Sequence, residues 1–173
     1  MSIAFVGIGS NLGDRLEHYE KAVGMISELP NTSVVLQSRL YETEPHGDVT
    51  GWYINGVVKL ATEFSPPQLL VRLKEIEIEM GRPPESLRGK WVARVIDLDI
   101  LLFNECVLNQ RDIQIPHPEM HRRRFVLLPL SEIAGNQVHP QLGLNVSELL
   151  ACVTDSKRVV RFSLVRQTSE RFR

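Results

Sequence analysis

The chain has 173 residues, 43% of them hydrophobic, and a formal net charge of -1. That length and apolar content fit one domain spanning 1–173 with a real core and exclude a disordered chain. The charge balance excludes a general nucleic-acid binder that relies on bulk positive charge. Cys106 and Cys152 lack metal-ligand spacing and read as reduced thiols. No leader-like start and no bilayer-length apolar run is visible, so the expectation is a cytoplasmic protein with no membrane partner.

In chain order, Ile3–Gly9 is a short apolar run that reads as a buried strand. Gly9 to Asp14 is turn chemistry, with Asp14 suited to cap a helix. Leu16, Tyr19, Val23 and Ile26 recur at helical spacing, and Pro30 ends that helix. Thr32–Tyr41 reads as a second strand, Glu44–Gly51 as a loop and Tyr53–Thr62 as a third strand. Ser65-Pro66-Pro67 opens a second helix with a serine cap and proline in the first turn. Leu69, Leu73, Ile76 and Met80 form its apolar stripe, and Gly81 closes it. Arg82–Ala93 is a long polar loop, the kind that often carries function. Val95–Phe103 is a fourth strand. Beyond it come a turn at Asn104-Glu105, an extended piece to Pro118, short helices near Phe125–Ala134 and Val146–Cys152, and a late strand within Arg158–Val165.

Strand-helix-strand-strand-helix-strand is the α+β, ferredoxin-like βαββαβ arrangement. It places both helices on one face of an antiparallel sheet and leaves the other face free. Alternation along the fourth strand sends Ile96, Leu98, Ile100 and Leu102 into the core and Asp97 and Asp99 to the opposite face. Their Cα atoms then lie roughly 6.5–7 Å apart, close enough for both carboxylates to reach one ion or ion pair. Aspartate is a poor strand former, so two of them in an apolar strand break a local rule, and such breaks concentrate at functional sites. Oxygen ligands of this kind suit magnesium, calcium or manganese.

Arg82, Arg88, Lys90 and Arg94 lie in the segment leading to the acidic strand, and Arg122, Arg123 and Arg124 follow later. Each alone fits a solvated surface charge. Beside an acidic pair they favour a nucleotide triphosphate over a bare metal, because phosphate transfer combines acid-held metal with cationic clamps. His117, held between Pro116 and Pro118, fits a structural role as well as a functional one. Gly7 to Gly13 lacks a Walker lysine and a Rossmann context and reads as a tight strand-to-helix connection. Tyr53 and Asn55 share one strand face, which suits either a flat heterocycle or cross-strand packing.

The run Arg94-Val95-Ile96-Asp97-Leu98-Asp99-Ile100-Leu101-Leu102-Phe103 closely resembles the signature of the 6-hydroxymethyl-7,8-dihydropterin pyrophosphokinase family. So do Ile8 to Gly13, Tyr53-Ile54-Asn55, Glu77 through Gly81-Arg82, and Pro116-His117-Pro118. The resemblance runs from Ile3 to Cys152. It implies a ferredoxin-like core and transfer of a pyrophosphoryl group from ATP to the pterin hydroxymethyl oxygen, with release of AMP, in folate biosynthesis. It implies two magnesium ions on Asp97 and Asp99, and Arg82 and Arg94 as catalytic-loop and phosphate-binding arginines. His117 and Arg123 become ATP phosphate contacts, with Glu77 and Ile100 lining the nucleotide site. Tyr53, Asn55 and Phe125 become the pterin pocket, Thr43 and Pro45 its main-chain contacts, and Trp91 a lid residue. The family pattern also implies a monomer.

The chain departs from that pattern in three places. Val92-Ala93 stands where the family often has Gly-Pro, and Pro83-Pro84 replaces a stretch that often carries a loop arginine, a role left to Arg88 or Lys90. Arg111 is one position off the basic residue that often precedes the Pro-His motif. A ferredoxin-like nucleic-acid module is the rival from another class. It stacks bases on aromatics of the open face, whereas here that face carries two aspartates and aromatics are only 6%. A degenerate member that binds ATP or pterin without transfer is the third possibility.

Overall fold

The computed structural model describes residues 1–45, 51–81 and 95–163. Its elements run β1 (Ser2–Ser10), α1 (Arg15–Ser27), β2 (Thr32–Gln37), β3 (Tyr41–Thr43), β4 (Tyr53–Thr62), α2 (Pro66–Glu79) and β5 (Asp97–Phe103). A short ribbon of β6 (Leu108–Asn109) and β7 (Gln114–Ile115) follows. A 3-10 turn at Met120–Arg122, α3 (Arg124–Ala134), α4 (Val146–Cys152) and β8 (Val159–Arg161) complete it. The order β5-β1-β4-β3-β8, with β2 also on β4 and every pair antiparallel, is the ferredoxin-like sheet with one added edge strand.

The helices start where their caps predict. Asp14 accepts the Glu17 amide at 3.0 Å, and Ser65 with Gln68 forms a capping box ahead of Pro66-Pro67. Gly81 follows α2 at φ +95, a left-handed conformation that glycine adopts without a Cβ clash. Tyr19, Ala22 and Ile26 of α1 and Leu69, Leu73 and Ile76 of α2 pack onto Val6, Ile8, Val58, Leu60, Ile96, Leu98 and Ile100 of the sheet. Burial of the leucine, isoleucine and valine side chains among them contributes about 1.5–3 kcal/mol each.

Two expectations are corrected here. The stretch expected as one strand over Thr32–Tyr41 is two strands laid end to end on β4. A register shift falls between Val34 and Leu36, and at the break the Ser38 hydroxyl accepts the Val57 amide at 2.9 Å in place of a strand carbonyl. Second, Leu102 does not face the helices. A bulge between β1 and β5 pairs Val6 with Ile100 but Phe5 with Leu102, so Leu101 is extra. One inserted residue inverts the alternation beyond it. Leu101 and Leu102 therefore both join Phe5, Val57, Met120, Leu127, Leu130, Val146 and Leu149 in a second cluster under α3 and α4. The face expected to be free is thus sealed at that end and open only beyond the bulge.

Candidate active site

The open end is built from paired strand positions. In an antiparallel sheet, residues directly opposite one another share a face. Asp97 pairs with Gly9, Gly9 with Asn55, and Asn55 with Tyr41. In the same way Asp99 pairs with Gly7, and Thr43 with Tyr53. Asp97 and Asp99 therefore stand on one rim, Asn55, Thr43 and Tyr53 on the other, with β1 as the floor between them. Two strand spacings set the rims roughly 10 Å apart. Asp97 is half-buried and Asp99 exposed.

That floor is bare because both of its residues are glycines, a role the sequence reading missed by treating Gly7 to Gly13 as a connection. β1 runs on to Ser10, so Gly7 and Gly9 are strand residues. A Cβ on Gly9 would come within 2.7 Å of the Asn55 Oδ1, whereas one on Gly7 would touch Leu101 at an ordinary 3.4 Å. The usable signal was parity: two glycines two apart in an otherwise apolar strand share a face.

The far rim is rigidly held. Asn55 Nδ2 donates to Thr43 Oγ1 at 2.6 Å, and both residues are nearly inaccessible, at 8% and 2%. Buried polar groups persist only when paired, and this pair ties β4 to β3 beneath half-buried Tyr53. Pro45 follows at the end of the described β3 segment. The Ser10 hydroxyl donates to the Val95 carbonyl at 2.7 Å, anchoring the chain as it enters β5, and Asn11 Nδ2 donates to the Gly51 carbonyl at 2.9 Å.

Glu77, expected to line the nucleotide site, is 4% exposed on α2, and its Oε1 accepts the Leu98 amide at 2.8 Å. β5 is an edge of the central sheet, so this bond spans from helix to strand edge and fixes the strand between the two aspartates. By alternation Ile100, like Leu98, turns its backbone to that edge. The Ile100 side chain lies in the core under the helices.

His117 and Arg123 come from the segment between β7 and α3, and Phe125 from the first turn of α3. The His117 amide donates to the Leu101 carbonyl at 2.9 Å, and its Nδ1 accepts the Glu119 amide at 3.2 Å. An accepting Nδ1 leaves the proton of a neutral ring on Nε2. Burial holds His117 below the ordinary histidine range; the Asp99 and Glu119 carboxylates oppose that shift and Arg123 adds to it. The Arg123 guanidinium lies 5.9 Å from the centre of the half-buried Phe125 ring. α3 is braced against β3 by Tyr41, whose hydroxyl donates to Glu132 Oε1 at 2.5 Å. Arg82, Trp91 and Arg94, with Arg88 and Lys90, lie outside the described residues.

Among the described residues no group of three or more His, Cys, Asp and Glu is arranged to hold a metal ion. Two carboxylates above a bare strand fit a cation that completes its shell with water and phosphate oxygens, as magnesium does. Also among the described residues, no helix is long and apolar enough to cross a membrane.

The family described as 7,8-dihydro-6-hydroxymethylpterin-pyrophosphokinase (HPPK) matches residues 5–135. The chain is 42% identical over 161 residues to a 2-amino-4-hydroxy-6-hydroxymethyldihydropteridine pyrophosphokinase of Haemophilus influenzae, covering 92% of this chain and 98% of that one. It is 38% identical to the Bacillus subtilis protein of the same name, covering 76% and 78%. A folic acid synthesis protein of Schizosaccharomyces pombe is 39% identical over 86% of this chain, which spans 20% of that protein. Among solved structures, a Plasmodium falciparum HPPK-DHPS triple mutant superposes with a TM-score of 0.69 at 17% identity. That match covers 87% of this chain and 43% of the other, and at that identity it speaks to fold alone.

Proposed function

The chain belongs to the 7,8-dihydro-6-hydroxymethylpterin-pyrophosphokinase family, and we propose that the glycine-floored end of its sheet is where it carries out that family's reaction. A pyrophosphoryl group passes from ATP to the hydroxymethyl oxygen of 6-hydroxymethyl-7,8-dihydropterin, and AMP leaves, in folate biosynthesis. One observation carries the placement: an acidic rim and an amide-aromatic rim face each other across Gly7 and Gly9, the two strand positions between them that have no side chain. The gap of roughly 10 Å suits a phosphate chain on one side and a flat heterocycle on the other.

Asp97 and Asp99 would hold magnesium, expected as two ions. Bound there, the metal supplies charge neutralisation for the triphosphate and the departing AMP. The protein's own groups do the rest. Glu77 holds the β5 edge so that both aspartates keep their spacing, and Ile100 offers its backbone at that edge to the nucleotide. His117, neutral with its proton on Nε2, donates to a phosphate oxygen, and Arg123 adds a cation beside it. Arg82 and Arg94 are proposed to meet charge as it develops. Asn55 and Thr43 give the pterin fixed polar partners, Tyr53 and Phe125 its aromatic walls, Pro45 a main-chain contact, and Trp91 a lid.

With both substrates seated, the pterin oxygen forms a bond to the β-phosphorus. The bond from that phosphorus to the oxygen it shares with the α-phosphorus breaks, AMP keeps that oxygen, and the hydroxyl proton is released. A primary alcohol is a weak nucleophile, so positioning and charge offset supply most of the acceleration. Phosphorus NMR of ATP, the pterin and magnesium tests the reading. AMP and a pterin diphosphate are expected; ADP, or free phosphate alone, would refute it.

A further inference from the structure

The strands that carry the pterin rim have a second face, and that face is clamped. Thr43, Tyr53 and Asn55 point toward the site, while Glu42 and Trp52 belong to the opposite side by alternation. Arg15, at the first turn of α1, bridges the two stems there. Its guanidinium donates to Glu42 Oε1 after β3 begins and to the Trp52 carbonyl before β4 begins, each at 2.8 Å. Both side chains of the Arg15–Glu42 pair are about three-quarters buried, at 23% and 28% exposure.

Arg158 makes the same bridge from the C-terminal side. β8 pairs with β3 through Tyr41 with Arg161, Glu42 with Val160 and Thr43 with Val159. Just before that pairing, the Glu44 amide donates to the Arg158 carbonyl at 3.1 Å, and the Arg158 amide donates to Glu44 Oε2 at 3.0 Å. The Arg158 guanidinium then reaches across to lie 5.7 Å from the centre of the Trp52 ring, within cation–π range. Two arginines from distant parts of the chain thus cross-link the same two stems, behind the residues that face the substrate.

We propose that Arg15 and Arg158 are positioning residues for the pterin end of the site, acting as a rear clamp on the β3–β4 stems. Neither touches the face where substrate would sit. Their effect runs through the spacing of Thr43 and Tyr53, whose backbones continue directly into Glu44 and Trp52. The clamp is remote from the acidic rim, so it governs pterin and not ATP. This inference rests on the pyrophosphokinase reading above.

Steady-state kinetics with ATP, magnesium and the hydroxymethyl pterin test it on the full chain. In the double variant Arg15→Ala/Arg158→Ala the KM for pterin is expected to rise about tenfold, with the KM for ATP and kcat within about twofold of the parent. Arg158→Lys, which keeps a cation over Trp52, is expected to stay near the parent, and Glu42→Gln to give part of the Arg15→Ala effect. The single variants keep the test alive should the double variant fold poorly. An unchanged pterin KM, or equal rises in both KM values, overturns the clamp. Absence of AMP with the unaltered protein instead overturns the pyrophosphokinase reading itself.

Discussion

The face of the sheet turned away from α1 and α2 holds two regions of opposite character, a few residues apart on the same strands. At one end Phe5, Val57, Leu101 and Leu102 are sealed under α3 and α4. At the other Gly7 and Gly9 leave β1 bare between two aspartates and a buried asparagine. The boundary is the bulge at Leu101. It supplies the sealed end with two consecutive leucines from one strand and stops the apolar surface before it reaches Asp99. The sealed end seats α3, which starts right after Arg123 and carries Phe125 in its first turn. A scaffold and a site are thus made from one surface by one extra residue.

The largest expected effects break the bare end and leave the sealed one intact. Asp97→Ala and Asp99→Ala should each lower turnover about a thousandfold. Thermal unfolding should shift little, because Asp99 is exposed and Asp97 only half-buried. Near-parent AMP production in either variant would remove the acidic rim from the mechanism. The converse experiment strikes the sealed end. Leu127→Ala, at a fully buried position, should cost about 3 kcal/mol. For a chain of this size that lowers Tm by roughly 6–12 °C in calorimetry, while turnover per folded molecule stays comparable at a temperature well below the transition.

How much of this was readable beforehand divides along the same line. β4 was legible to its bounds, since Tyr53–Thr62 is a continuous β-rich run ended by turn residues, and both main helices announced their caps and stripes. Asp97 and Asp99 were legible because alternation holds locally. The bulge was not, because Leu101 and Leu102 look alike in sequence and only the partner strand decides which is extra. Nor was the attachment of Glu77 to Leu98, 21 residues away, since nothing local marks which amide a buried carboxylate will find. Gly7 and Gly9 were visible inside the Ile3–Gly9 strand and share a face by parity, but the run Gly7 to Gly13 was read only as a connection, and it takes the pairing of β1 with β5 to put that face beside Asp97 and Asp99.

The floor itself separates two glycines that look equivalent. Gly9→Ala places a methyl within 2.7 Å of Asn55 Oδ1 and must displace that side chain, whereas Gly7→Ala meets only Leu101 at 3.4 Å. The KM for pterin is expected to rise about tenfold in Gly9→Ala and to stay within about twofold in Gly7→Ala. Equal effects at the two positions would mean that the floor, rather than Asn55, sets pterin binding.

The smallest expected effect lies where the two regions meet, at the brace between β3 and α3. Burial, the hydrogen bond to Glu132 and the Glu132 charge together push the Tyr41 hydroxyl up to about 12. Burial also raises Glu132, but hydrogen bonds from Tyr41 and the Arg39 amide, together with the Arg39 guanidinium, outweigh it and hold the carboxyl below its ordinary range. The signs follow from linkage. The contribution of Tyr41 is fully present below its unfolded value of 10.0 and is lost as pH rises toward about 12. The contribution of Glu132 is present above the ordinary glutamate range and is lost as pH falls through its depressed value. Tyr41→Phe should therefore cost about 1–2 kcal/mol near neutral pH, the scale of a hydrogen bond to a charged group. Denaturant titrations across pH should show that difference shrinking above pH 10, where the parent loses what the variant never had. A constant difference at high pH would show that the hydroxyl braces α3 by packing alone, and that the seam between scaffold and site is not held by charge.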